Sequence, residues 1–436
     1  MTWPIVAELL LTGVISTGST YLLNAWSPDA VAAVGSLGQV VSFTVNLYTI
    51  VSVGGSILLA PMAGAGRYRE AGRLIRTLLY ANLLFSLAVS VVTLVLIEPF
   101  LRMMQLDPAL WPIGREYLLV SLGLSVAQSL LITYTAVFRS FGRMKDVLAA
   151  NFIVFFLCFL VNAAIYFGLP RAQQRIGLYA MAGIIGQSCG ALYLHLRLRG
   201  FFWKKYGRVR VNREDALRYL RRILRFGVPA GMEGILYLAA QMIVVSMIGS
   251  LGTQALLVKA YAGTFAGYMA ICTTAVNTAA FVLIGQHLGE GNPEGMRRTY
   301  RDGLCAGLMM TTAISAILMA AGRPILHLFT WEEAVIAQVR ALLYWQLALE
   351  LARVPAALSV SGLKAVGEIR LPFLMVIAGG LLNIAVSYGC GVALGWGLPG
   401  VWLGYIADMA LRAAVEGCKW RQIVRDPAAY QRKVMG

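Results

Sequence analysis

The sequence repeats itself after a fixed interval of 225 residues, and this repeat is the strongest constraint on the fold. Pro4 and Glu8 near the start recur as Pro229 and Glu233 in mid-chain. The same offset relates Ala30 to Ala255, Gly64 to Gly289, Gly66 to Gly291, Arg73 to Arg298, Arg76 to Arg301, Arg139 to Lys364, Gly142 to Gly367 and Lys145 to Arg370. Duplication within an apolar chain is the usual way to build two lobes around a central site. We therefore predict a two-lobed membrane transporter.

The composition indicates that the chain is built for a lipid bilayer. Of its 436 residues, 59% are hydrophobic and only 13% are charged, whereas a soluble domain carries ~25% charged residues. The six cysteines lie singly in apolar segments, and the three histidines are far apart in the sequence. We therefore expect no disulfide framework, no histidine metal site and no cofactor.

Twelve apolar segments are long enough to cross a bilayer, which requires ~20 residues. Each is predicted to be helical, because a spanning segment must satisfy its own backbone hydrogen bonds. The predicted spans are 3–23, 31–60, 77–97, 116–138, 147–168, 176–196, 226–248, 256–284, 302–321, 339–360, 371–394 and 400–420.

The basic residues predict the orientation. Loops on one side of the membrane hold 28 of the 37 Lys and Arg residues, and the opposite loops hold six. Since cytoplasmic loops carry the excess of Lys and Arg, we expect both termini in the cytoplasm and the chain in the cell (inner or plasma) membrane. The predicted parts are an N lobe at 1–196, a basic cytoplasmic linker at 197–225, a C lobe at 226–420 and a cytoplasmic tail at 421–436.

The second part of the linker, 215–225, places apolar residues at helical spacing with arginines between them. This pattern predicts a helix that lies on an anionic leaflet. The net charge of +17 does not indicate a nucleic-acid partner, since no folded soluble module accompanies these arginines. The first apolar segment lacks a basic region before it, so no cleavable signal peptide is expected.

Two equivalent loop motifs carry a resemblance to a known family. The segments Gly64-Ala-Gly-Arg-Tyr-Arg-Glu-Ala-Gly-Arg and Gly285-Gln-His-Leu-Gly-Glu-Gly-Asn-Pro-Glu resemble the Gly-x-Gly-x-x-x-x-Ala-x-x loop of multidrug and toxic compound extrusion (MATE) transporters. Segments 28–35, 227–233, 252–256 and 400–412 are also similar to family motifs.

The resemblance implies an all-α membrane fold of twelve helices, in which two six-helix bundles form a V around a central cavity. It further implies a secondary antiporter, expected to be a monomer, that exports amphipathic or cationic small molecules in exchange for Na⁺ or H⁺ by alternating access. The sequence departs from the family at two acidic positions, which are occupied here by Ser19 in the first span and Tyr237 in the seventh.

Ionisable side chains within spans are functional candidates, because burying them in a bilayer is costly. The predicted ion-coupling residues are Glu233, Asp408 and Glu8, since one carboxylate can bind either a proton or a metal cation. For Glu8 and Glu233 the alternative is a structural hydrogen bond near the membrane edge. Asp408 and Arg412 share one helix face, so a structural ion pair is the alternative there, as it is for Glu350 and Arg353.

Uncharged polar residues in the spans predict cavity walls, although small polar residues also pack between membrane helices. The predicted substrate-cavity residues are Thr12, Ser16, Ser19, Gln39 and Asn46 in the N lobe, and Tyr237, Gln241, Asn277 and Arg412 in the C lobe. The glycine-rich loops lack the Lys-Ser/Thr of a phosphate-binding loop and are typical of helix C-caps and tight turns.

Three functions can be considered for a sequence with this pattern. The first is a cation-coupled exporter of organic small molecules. The second is a flippase for lipid-linked oligosaccharides or lipids, which would use several cavity arginines, whereas only Arg353 and Arg412 lie within spans. The third is a membrane enzyme, which would need clustered acids or histidines in a surface loop. No outer loop supplies them, so we expect no enzymatic activity.

Overall fold

The structure is a computed structural model that describes residues 5–8, 13, 18, 19, 22, 23, 26–103, 110–170, 173–207, 211–327 and 331–435. Within these ranges the chain is almost entirely helical and contains no strand. The helices are α1 (Pro28–Gly64), α2 (Tyr68–Val95), α3 (Ile97–Met103), α4 (Trp111–Gly123), α5 (Val126–Ser140), α6 (Met144–Gly168), α7 (Ile176–Leu198), α8 (Lys204–Tyr206), α9 (Arg213–Ser250), α10 (Thr253–Glu290), α11 (Pro293–Ala320), α12 (Gly322–Leu326), α13 (Glu333–Ala365), α14 (Arg370–Val386), α15 (Leu398–Arg425) and α16 (Ala428–Met435). Two π-helical segments follow α7 and α14, at Arg199–Trp203 and Ser387–Ala393.

The internal repeat is visible in the turns between long helices. Gly66 and its counterpart Gly291 have φ angles of 68° and 67°, and Gly142 and Gly367 have φ angles of 72° and 73°. Each follows the C-terminus of a long helix, where a left-handed residue ends the helix and glycine adopts that conformation without strain. The turns that the glycine motifs predict are therefore present in both halves.

Nine helices in the described ranges are long and apolar enough to cross a membrane, or ten if the bent pair α4 and α5 forms one span. Helix α15 has 28 residues, which at 1.5 Å per residue is about 42 Å and enough to cross a bilayer. The first predicted span lies mostly outside the described residues. This arrangement agrees with the predicted twelve-helix repeat.

The fourth predicted span is broken rather than straight. Helices α4 and α5 meet at an angle of 43°, and Ser125 lies in the break between them. Its hydroxyl oxygen is 2.7 Å from that of Tyr48 on α1 and 2.9 Å from that of Ser90 on α2. These two contacts connect the break between α4 and α5 to the neighbouring helices α1 and α2.

The chain divides into two compact units, Trp3–Gly231 and Met232–Gly436, and the division falls within α9. The amphipathic part of the linker and the seventh span thus form one continuous helix. Tyr219 and Ile223 on its first turns are buried, so its apolar face packs against protein. The domain limits and the contact of this segment with the leaflet stay predictions.

Small residues bring α1 and the beginning of α9 together within the first unit. A Cβ added to Gly54 would collide with the backbone of Ile223 and Gly227, and one added to Gly227 would collide with the carbonyl of Ile50. Close approach through glycine is typical of membrane helix pairs. The first turns of α9 therefore belong to the N-terminal unit.

Candidate functional site

Glu8 lies in a buried ion pair at the beginning of the N lobe. Its side chain is 7% exposed, and Oε1 accepts hydrogen bonds of 2.6 Å from Nη2 of Arg139 and 2.6 Å from Nδ2 of Asn151. Arg139 is in the last turn of α5 and Asn151 is on α6, so Glu8 links three segments of the lobe. This geometry matches the structural alternative for Glu8, and a coupling role stays a prediction.

Glu233 has the equivalent partner in the C lobe. Nζ of Lys364, at the end of α13, lies 2.7 Å from Oε2 of Glu233. Lys364 is the repeat counterpart of Arg139, so the same ion pair occurs in both lobes. Asn151 has no such counterpart, since the equivalent position is Val376. Glu233 therefore lacks the second, amide partner that Glu8 has, and we expect it to depend more strongly on its cation.

Asp408 and Arg412 form the predicted pair on α15. They are 1% and 6% exposed, and the guanidinium donates from Nε to Oδ1 over 2.6 Å and from Nη2 to Oδ2 over 3.0 Å. Such two-point pairs are strong and directional. The guanidinium carbon also lies 6.0 Å from the ring centre of Tyr237. The structure thus brings together Tyr237, Asp408 and Arg412.

Glu416 is a buried acid that sequence analysis missed. It follows Arg412 by one helical turn and is 0% exposed, yet neither carboxyl oxygen has a hydrogen-bond partner among the residues that the structure describes. The spacing 408, 412, 416 was visible in the sequence and places all three on one face. The spacing did not show that this helix face is still buried in protein at Glu416, close to the end of the predicted span 400–420.

A second polar cluster connects α13 to α15. Oε1 of Glu350 accepts from Nε2 of Gln346 over 2.8 Å and from Nη1 of Arg353 over 2.5 Å. Gln346 in turn accepts a 2.9 Å hydrogen bond from Nε1 of Trp402. Arg353 and Arg412 are therefore each paired with a carboxylate on their own helix.

A cavity of about 290 Å³, mainly apolar but with several uncharged polar side chains, lies in the N lobe. Its described lining residues include Ser19, Gln128, Asn162 and Gln187 together with the rings of Tyr117 and Tyr179, and no charged side chain. Oδ1 of Asn162 and Oε1 of Gln187 are buried and lack a hydrogen-bond partner within the described part of the chain. The cavity therefore offers uncharged polar side chains and aromatic surface to a ligand.

The other predicted cavity residues are dispersed. Gln39 is exposed on α1, and Nδ2 of Asn46 donates to the carbonyl of Ser42 over 3.0 Å. Gln241 and Asn277 are half-buried and do not line the N-lobe cavity. Thr12 and Ser16 lie outside the described residues.

Sequence analysis also missed a buried network of uncharged groups in the N lobe. Nδ2 of Asn82 on α2 donates to Oγ of Ser52 over 3.1 Å, to the carbonyl of Ser129 and to Oγ1 of Thr133. It joins α1, α2 and α5. An asparagine in an apolar segment, such as Asn82, was the available signal.

Two helical units, repeated with one offset and containing buried ion pairs, define a polytopic membrane transporter. The chain belongs to the MATE family, since the MatE family model matches residues 4–164 and 229–389. The two matches begin and end 225 residues apart, which is the offset of the internal repeat. The predicted family, the all-α repeat fold and the multi-pass membrane character are thereby confirmed. Family and fold indicate a transporter rather than an enzyme.

Individual relatives resemble the chain over nearly its full length. "Uncharacterized transporter YisQ" of Bacillus subtilis is 28% identical, with 97% of this chain and 93% of the relative covered. "Probable multidrug resistance protein NorM" of Thermotoga maritima is 23% identical, with 95% and 89% covered. A solved MOP superfamily transporter from Pyrococcus furiosus has a TM-score of 0.85 at 18% identity, with 98% and 94% covered. A MATE structure in the straight conformation has a TM-score of 0.86 at 18% identity, with 99% and 96% covered.

Proposed function

We propose that this protein exports amphipathic or cationic small molecules across the cell membrane, with both termini in the cytoplasm, in exchange for H⁺ or Na⁺. Membership of the MATE family and relatives named as probable multidrug resistance proteins support the export of drug-like compounds. The observation that carries the substrate class is the N-lobe cavity. Its tyrosine rings and the uncharged polar side chains of Asn162 and Gln187 suit an aromatic compound that carries a positive charge.

The arginines of the spans argue against a flippase for phosphate-bearing lipids. Recognition of a pyrophosphate group requires cationic side chains that are available to the ligand. Arg353 and Arg412 are instead hydrogen-bonded to Glu350 and Asp408. A phosphate group would have to displace a buried carboxylate from either of them.

The cation-coupling site belongs to the C lobe in this proposal. The N-lobe cavity has Ser19 at the position of the family's first-span acid, and Glu8 is held by Arg139 and Asn151. The C lobe contains Glu233 and Asp408 as well as Glu416, all within the same unit. The partners are an organic substrate and the bilayer. We expect the transporter to act as a monomer and to bind no nucleic acid.

Transport of ethidium in inverted membrane vesicles tests this function. A pH gradient and a Na⁺ gradient are imposed separately, and vesicles from cells without the protein serve as the control. Uptake that follows one gradient identifies the coupling ion. An absence of protein-dependent uptake under both gradients, with the protein present and folded, would contradict organic-cation export for this probe.

A further inference from the structure

Helix α15 presents three ionisable side chains on one face, at successive intervals of four residues: Asp408, Arg412 and Glu416. All three are almost completely buried. Asp408 and Arg412 satisfy one another through two hydrogen bonds. Glu416 receives no such bond from any described residue. If it is ionised, its charge therefore has no direct partner among those residues.

The groups around Glu416 come from three further helices. Besides its burial, the charges that act on it are those of Arg412, Glu233, Lys364 and Asp408. Glu233 is on α9 and Lys364 is at the end of α13. Tyr300 on α11 also interacts electrostatically with Glu416. The four charged neighbours and Glu416 together comprise three carboxylates and two cations, so one carboxylate is in excess.

Both nearby cations are already occupied. Nε of Arg412 is 2.6 Å from Oδ1 of Asp408, and Nζ of Lys364 is 2.7 Å from Oε2 of Glu233. An ionised carboxylate that is removed from water and has no hydrogen-bond donor carries a large free-energy cost. That cost is removed if the carboxyl binds a proton, because the neutral form needs no countercharge.

A proton suits this position better than a metal cation. Arg412 and Lys364 both place positive charge near Glu416, which disfavours a bound Na⁺. A proton adds no separate ion to the cluster and simply cancels the excess carboxylate charge.

One side of Glu416 is closed by aromatic packing. Trp420, one turn further along α15, stacks on Tyr300 with ring centres 5.2 Å apart. The hydroxyl oxygen of Tyr300 lies 2.8 Å from that of Ser359 on α13, and a Cβ added to Gly362 would lie 3.0 Å from the Trp420 ring. This layer separates Glu416 from the polar end of α15.

We propose that Glu416 is the proton-binding carboxyl of the C lobe, and that it competes with Glu233 for the charge of Lys364. With the proton bound, Lys364 pairs with Glu233, as the structure has it. When the O–H bond of Glu416 breaks and the proton leaves to water, Glu416 becomes a carboxylate and Lys364 shifts toward it. This inference rests on the proposed cation-coupled export and names the residue that carries the coupling.

The protonation itself is measured by infrared spectroscopy on the purified, full-length protein at neutral pH. A wild-type minus Glu416→Gln difference spectrum is expected to contain the carbonyl band of a protonated, buried carboxylic acid. Glu290→Gln is the matched control, since Glu290 is an exposed acid of the same unit. Absence of the band from the difference spectrum, with both proteins folded, would overturn the assignment whatever the protein transports.

The role in coupling is measured with ethidium in proteoliposomes. Glu416→Gln mimics the protonated form, so we expect a loss of pH-gradient-driven transport of at least tenfold with ethidium binding retained. Glu416→Asp, which keeps the carboxyl, is expected to restore a pH-dependent rate, and Glu290→Gln to behave as the wild type. Driven transport at the wild-type rate in Glu416→Gln would refute the inference while leaving export intact. Failure of the wild type itself to transport would refute the export proposal, and the infrared band would still decide the protonation.

Discussion

Nζ of Lys364 lies 2.7 Å from Oε2 of Glu233, and 225 residues earlier Nη2 of Arg139 lies 2.6 Å from Oε1 of Glu8. The two halves thus share an ion pair as well as a helix pattern. In each lobe the pair ties the first spanning segment to the C-terminal end of the helix that forms most of the fourth span. The C-lobe pair differs in having a third ionisable group, Glu416, within electrostatic range.

Removal of Lys364 tests how strongly the C lobe depends on its pair. In Lys364→Met, Glu233 stays in a partly buried position without its cation, so we expect a loss of about 3 kcal/mol in the free energy of unfolding. Thermal unfolding of the purified protein in detergent measures the direction and relative size of this change. The double variant Glu233→Gln/Lys364→Met should recover most of the lost stability, since it removes both charges of the pair. Equal destabilisation in the single and double variants would refute the importance of the pair.

Gly379 on α14 should not tolerate a side chain. A Cβ at this position would collide with Oδ1 of Asp408 and lie 3.0 Å from Nε of Arg412, so Gly379→Ala must displace the buried pair. We expect the free energy of unfolding to fall by about 1–3 kcal/mol. Thermal unfolding of the purified variant measures this change. Gly267→Ala is the control, because nothing lies within 4 Å of its added Cβ and alanine favours a helix by roughly 0.5–1 kcal/mol. Similar unfolding midpoints for the two variants would contradict the described packing.

Ser19→Asp should strengthen binding of an organic cation to the N-lobe cavity. The cavity has no charged side chain among its described lining residues, so a new carboxylate supplies attraction in a poorly screened environment. We expect an increase in ethidium affinity of about tenfold, or ~1.4 kcal/mol, measured by fluorescence titration.

The control for this substitution is Ser19→Asn, which has nearly the same shape without the charge. The gain in Ser19→Asp should disappear on acidification, since protonation removes the new charge. A gain that is equal in both variants would show that size rather than charge is responsible.

The unpaired oxygen atoms of Asn162 and Gln187 provide a separate test of the cavity. Replacing either residue by leucine removes one acceptor, so each variant should lower ethidium affinity by about fivefold, which corresponds to roughly 1 kcal/mol for one hydrogen bond. Thr274→Val is the control, since Thr274 is exposed on α10 and its hydroxyl donates only to the carbonyl of Ala270 in the same helix, over 2.8 Å, among the contacts described. Unchanged affinity in both leucine variants would exclude the cavity as the ethidium site.

Much of this molecule could be predicted from local sequence. A bilayer-spanning segment has to be helical, so apolar length alone predicted the helices, and the repeat predicted that Gly66 and Gly291 end equivalent helices. Asp408 and Arg412 were also predictable as a pair, because residues four apart on a helix are neighbours. The α4–α5 break at Ser125 was not predicted, since its stabilising contacts come from Tyr48 and Ser90, which are distant in the sequence.

The sequence by itself determined the order of the long apolar helices, the internal repeat and the residues on each helix face, because these depend on hydrophobicity and on helical periodicity. Only the tertiary structure decided which ionisable groups are compensated. Glu8 meets Arg139 across 131 positions, and Glu233 meets Lys364 across the same interval. Glu416 has the same spacing from Arg412 as Asp408 has, yet the guanidinium is directed to Asp408. The partner of each buried charge depends on how several helices pack, since a buried charge is stabilised by the groups that lie beside it in space.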